Sequence, residues 1–136
     1  MKLRFLFLFW ALLGWLYPVY AQDSACNMEE GAVVNSLTKL PYEVQELLGR
    51  SKHDLDGIAD VGEKFNSGDV IASSSVPMRR LVSGIAGTNC IRLVVEHGGS
   101  GYGKTQLEFE RLERGWIQVK STAVTGRKPW SPNPTK

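Results

Sequence analysis

From residue 70 onward the chain reads as β structure, with apolar and polar positions alternating most clearly after Cys90. Ile91, Leu93 and Val95 alternate with Arg92 and Glu96 in Cys90 to His97. Successive strand side chains point to opposite faces, so this run predicts a half-buried strand. Thr105 to Leu112 repeats the pattern, with Leu107 and Phe109 against Gln106, Glu108 and Glu110. Trp116 to Val124 places Ile117 and Val119 against Gln118 and Lys120. Arg79 to Ala86 is a further candidate, and Val70 to Ala72 a short one ended by serines and Pro77. The connections Gly87-Thr88-Asn89, Gly98 to Lys104 and Glu113-Arg114-Gly115 are short. Short links between successive strands predict an antiparallel meander.

Upstream, the period changes. Pro41 to Leu48 predicts a short helix: Pro41 suits the first turn, Val44, Leu47 and Leu48 share a face, and Gly49 can cap the end. Residues 22–36 read as a loose lead-in, and 50–69 as loop with a short element around Ile58 to Val61 and a turn at Asn66 to Asp69. The fold class is therefore α+β: a small antiparallel β-meander of about four strands covered by a short N-terminal helix. Its apolar face would carry Ile91, Leu93, Val95, Leu107, Phe109, Ile117 and Val119. Arg92, Glu108, Glu110, Gln118 and Lys120 would line the other face, where opposite charges pair across strands for ~0.2–1 kcal/mol each.

The first 21 residues change the picture of where the chain works. Lys2 and Arg4 precede an apolar run from Phe5 to Leu16, Pro18 breaks it, and Val19-Tyr20-Ala21 offers a cleavage site. Residues 1–21 are thus expected to be a signal peptide, 22–126 one exported domain, and 127–136, with Pro129, Pro132 and Pro134, a flexible tail. The apolar run is shorter than the ~20 residues of a membrane span, so no stable membrane anchor is expected. Asp23-Ser24-Ala25 ahead of Cys26 argues against lipidation. The expected location is periplasmic or secreted. Asn133, the one near-miss to a glycosylation sequon, is disqualified by Pro134 and tilts this towards the periplasm.

Charge narrows the partners. The 16 basic and 14 acidic side chains of the whole chain become 14 and 14 once Lys2 and Arg4 leave with the leader. That balance does not call for nucleic acid or an anionic surface. Cys26 and Cys90 are expected to form a disulfide in an oxidising compartment. Closing so long a loop is worth ~4 kcal/mol on chain-entropy grounds. The alternative is two unpaired small core residues.

Several motifs invite chemistry. Gly98 to Thr105 fits the phosphate-loop pattern G-x-x-x-x-G-K-[ST] and follows a strong strand. A true phosphate loop opens a helix whose amides hold the phosphates, whereas Thr105 to Leu112 reads as a strand. No nucleotide is expected; the segment reads as a glycine-rich hairpin loop offering Tyr102 and Lys104 to a partner. Asp54 to Asp60 resembles a calcium loop, but Ile58, Ala59 and Phe65 fall where an EF-hand needs an oxygen ligand, a glycine and a glutamate. His97 beside Glu96 could act as a base, yet Ser73 to Ser75 lack the sharp turn that activates a nucleophile. His53 and His97 are too few ligands for zinc. No cofactor and no metal are expected. Trp116 lies either on the polar face as a contact residue or over the sheet edge as core.

Residues 99–104, Gly-Ser-Gly-Tyr-Gly-Lys on a small exported β domain, are loosely similar to the serine- and lysine-bearing loop of periplasmic lysozyme inhibitors. The helix at 41–48 departs from that all-β family. With export, small size, one expected disulfide, a projecting glycine-rich loop and no catalytic constellation, the resemblance sets only a class: a non-enzymatic periplasmic binding module, an inhibitor, an immunity protein against an exported toxin or an envelope accessory protein, with an envelope or exported protein as partner. Tyr102, Lys104 and Trp116 are its candidate contacts. The alternative is a small envelope enzyme or ligand-binding protein working near His97 and the 98–104 loop.

Overall fold

A computed structural model of the chain describes Met28 and residues 30–125. The expected signal peptide, Cys26 and the Pro-rich tail lie outside the described residues.

The sheet has five antiparallel strands in sequence order: β1 (Ala32–Val34), β2 (Arg79–Ala86), β3 (Cys90–His97), β4 (Gly103–Leu112) and β5 (Gly115–Ala123). The meander stands, but with five strands where about four are expected. The additional strand, β1, lies within the expected lead-in. It is only three residues long, too short for alternation to show, and pairs Val34 with Gly84 of β2. No strand forms at Val70 to Ala72; Ala72 instead donates its N–H to the Asn66 side chain at 3.1 Å.

The short helix also needs correction as a cover. α1 (Tyr42–Leu47) has six residues, with Pro41 as its N-cap. It buries Val44, while Leu47 stays half exposed. Most of the covering layer is not α-helical: Leu37 opens a 3-10 turn, and Leu40, Leu48 and Ile58 come from turns and loop. Together they pack on Leu81, Ile91, Leu93, Val95, Leu107 and Phe109 of the sheet. Each fully buried side chain of this size contributes roughly 1.5–3 kcal/mol. Asp60 holds the cover in place. Its carboxylate accepts from the Ser36 hydroxyl at 2.7 Å and from the backbone N–H groups of Leu37 and Val61 at 2.9 and 2.7 Å. The nearby Ala59 bridges to β2, its N–H donating to the Arg79 carbonyl and its carbonyl accepting from Leu81.

Strand β5 reverses the expected parity. A bulge lies between Glu108 and Phe109 in the β4–β5 register: Glu108 faces Lys120, but Phe109 faces Gln118. Val119 is the extra residue, so the faces exchange along β5. Trp116 then packs against the core, whereas Ile117 and Val119 are each 43 % exposed. On the polar face Arg92 pairs with Glu108 at 3.3 Å. Val94, Cys90 and Ile85 are buried on that face too.

Candidate functional site

A connected polar cluster lies where the start of β2, the end of β3 and the start of β4 come together. Register places Glu96 of β3 between Arg80 of β2 and Lys104 of β4, all on one face. Glu96 is buried, at 6 % exposure. Arg80 donates to its Oε1 from Nε at 2.7 Å, with Nη2 at the same distance. Oε2 accepts the Tyr102 hydroxyl proton at 2.5 Å. Arg80 is fixed in turn: Nη1 donates to the Glu63 carbonyl, and its guanidinium lies 4.3 Å from the centre of the Phe65 ring. Such stacking adds attraction between cation and ring.

The electrostatics follow from these contacts. Burial alone would raise the Glu96 carboxyl. The Tyr102 hydroxyl, the Arg80 hydrogen bond and charge, and the Lys104 charge outweigh it and hold the group below the ordinary glutamate range. The bond to Glu96 also raises the Tyr102 phenol, helped by desolvation and the carboxylate charge and opposed by Arg80. Glu96 is therefore an anion with both oxygens engaged. A general base has the opposite character, with a lone pair free for the proton and an affinity raised towards neutrality.

Tyr102 itself is 54 % exposed at the end of the 98–102 turn. The turn does not stand alone, because residues 66–77 support it from behind. Asn66 is buried; its Nδ2 donates to the carbonyls of Ser73 and Val76, and its backbone N–H to that of Pro77. Gly98 donates to the Met78 carbonyl and Gly99 to that of Gly68. A Cβ at Gly98 would overlap the Asn66 carbonyl, so only glycine permits this approach. Gly99 has φ of 100°, in the left-handed region.

The residues singled out in the sequence therefore separate. Tyr102 bonds to Glu96, and Lys104 lies across from Glu96 on the neighbouring strand. Trp116 lies at the other end of β4, facing Arg111. His97 does not join Glu96: adjacent strand residues face opposite ways, and its imidazole Nε2 lies 3.2 Å from where a Gly103 Cβ would be. Lys64, Phe65, Ser67, Ala72, Arg80 and Tyr102 line the recess beside Glu96, and His97 is not among them. Ser73 and Ser75 share a hydroxyl hydrogen bond at 2.8 Å within the supporting loop. Cys90 is buried at the start of β3; its expected partner, Cys26, lies outside the described residues. β4 continues the 98–102 turn as a strand, with no helix at the position a phosphate loop requires. Among the described residues no group of three His, Cys, Asp or Glu side chains converges as metal ligands would, and no helix is long and apolar enough to cross a membrane.

Arg80 and Phe65 were not foreseen. Phe65 sits in an aperiodic stretch, and nothing in the sequence sets Arg80 apart from other polar strand positions. The one available signal was parity, since Arg80, Glu96 and Lys104 fall on one face once the three strands are aligned.

Comparison with protein-family models, curated proteins and solved structures finds no match to this chain.

Proposed function

We propose that the chain is an exported, non-enzymatic binding module, inhibitor-like in class, that contacts an envelope or exported protein through Tyr102 and Lys104. One observation carries this reading: an exposed aromatic ring whose hydroxyl is tied to a buried, ion-paired carboxylate. A ring fixed before contact loses little freedom on binding, and such aromatics serve as interface anchors. The supporting loop at 66–77 adds rigidity. Export, the signal peptide at 1–21 and the Cys26–Cys90 disulfide complete the proposal, the bond joining the N-terminal end of the exported chain to β3. The engagement of both Glu96 oxygens and the placement of His97 on the opposite face of the sheet weigh against the enzymatic alternative.

Affinity capture from envelope extract tests it. The immobilised exported chain should retain a discrete protein, and Tyr102→Ala should lower its apparent affinity at least about fivefold, as for an aromatic anchor. Equal retention by wild type and Tyr102→Ala would reject the assignment.

A further inference from the structure

At the other end of β4, α1 meets the β4–β5 turn and leaves a second cleft. β4 has ten residues, roughly 30 Å at ~3.3 Å per residue, so this cleft is separate from the Tyr102 surface. Tyr42, Leu112 and Trp116 form its apolar wall, and Lys39, Arg111 and Arg114 surround it. Tyr42 is 74 % exposed and Leu112 50 %. The geometry is fixed by Glu43 of α1, whose carboxylate accepts the Trp116 backbone N–H at 3.1 Å and lies against Gly115. That contact commits the Glu43 carboxylate to joining α1 to β5.

The cations are not committed. The ion pairs among the described residues are Arg50–Glu63, Arg80–Glu96 and Arg92–Glu108. Lys39, Arg111 and Arg114 have no carboxylate partner in an ion pair among the described residues; Glu43, which keeps its charge while accepting the Trp116 N–H, and Glu113 leave the lining with three cations against two carboxylates. Three free cations around an exposed aromatic and aliphatic wall match a ligand with negative charge on either side of an apolar anchor. A neutral glycan would leave the cations unused.

We propose that this cleft binds an acidic peptide segment of a partner protein, with an aliphatic or aromatic side chain seated on Trp116 and Tyr42 and carboxylates paired with Lys39, Arg111 and Arg114. Tryptophan and arginine are the side chains that most often dominate such contacts, and complementary charge sets the choice of partner.

Fluorescence anisotropy with three labelled probes tests it on the purified exported chain. The probes are Glu-Asp-Leu-Phe-Glu-Asp, its lysine counterpart Lys-Lys-Leu-Phe-Lys-Lys, and an eight-nucleotide oligothymidylate. The acidic peptide should bind saturably at low salt, more tightly than either other probe. Its affinity should fall at least tenfold both in Arg111→Glu/Arg114→Glu and in the neutral Arg111→Gln/Arg114→Gln. It should persist in Lys52→Glu/Lys120→Glu, which changes the net charge as much as the first pair. Lack of saturable acidic-peptide binding, equal or tighter binding of the lysine peptide or oligonucleotide, an affinity unmoved by the arginine changes, or an equal loss in the lysine control would overturn the proposal.

Discussion

Glu96 decides most of what the candidate site can do. A carboxylate at 6 % exposure is costly unless every oxygen is satisfied. Here Arg80 and Tyr102 satisfy both. Removing it strands the Arg80 guanidinium and the hydrogen bonds it made, so Glu96→Ala should lower unfolding free energy by roughly 2–4 kcal/mol in urea titration. Lys104→Ala, which leaves every Glu96 hydrogen bond in place, should cost no more than about 1 kcal/mol. The pH dependence follows with a definite sign. Glu96 is held below its ordinary value in the folded chain, as are Asp60 and Glu63. The folded state thus binds fewer protons than the unfolded chain in the acidic range. The stabilisation is fully present above the unfolded carboxyl values and is lost as pH falls through the folded ones. Thermal midpoints measured from pH 6 down to pH 2 should decline, and Glu96→Gln should flatten the decline. An unchanged slope in that variant would detach Glu96 from it.

At the scale of elements, the supporting loop and the bulge matter most. The turn at 98–102 is held by residues 66–77, and Gly98 is the point of closest approach. Gly98→Ala should force the two loops apart and cost about 1–3 kcal/mol, the usual range for overpacking. Amide exchange should then quicken at Asn66 and Gly99 while the centre of β3 stays protected. The elements also show what the sequence could disclose. β3 was legible to the residue, because Ile91, Leu93 and Val95 keep their alternation despite Val94 and short turns bound the strand, and the same turns marked off β2. β5 was legible as a strand but not in its facing. Parity carried from Ile117 and Val119 put both in the core, and the single extra residue at Val119 reversed it. A bulge leaves no mark in the pattern of one strand, since it is a property of the pair. β1 escaped for lack of length, and the cover was misassigned to a helix because Leu37, Leu40 and Ile58 follow no period. Of the site, Tyr102 was visible through its place in the turn, and Lys104 through the glycine-rich segment, although β4 begins at Gly103 and takes Lys104 into the strand. Arg80 and Phe65 were not, because what joins them to Glu96 is register and loop contact between distant segments.

Over the whole molecule, one layered core fixes both ends of the sheet. Phe109 has no exposed surface and sits among residues from the cover and the sheet. Phe109→Ala should cost about 3–5 kcal/mol. The proposed Cys26–Cys90 bond belongs to this scale too. The non-reduced protein treated with an alkylating agent under denaturing conditions should gain no label, and two labels per chain would reject the bond. The central claim is that the end of the sheet carrying Tyr102 meets a partner protein. Its most direct measurement is site-specific photo-crosslinking in intact cells. A photoreactive residue at Ser100 leaves the Tyr102–Glu96 bond in place, and one at Ser121 on exposed β5 serves as control. Position 100 should give one discrete adduct, lost when Tyr102→Ala is added, and position 121 should not give it. Lack of an adduct at position 100, or the same adduct from both positions, would contradict the account.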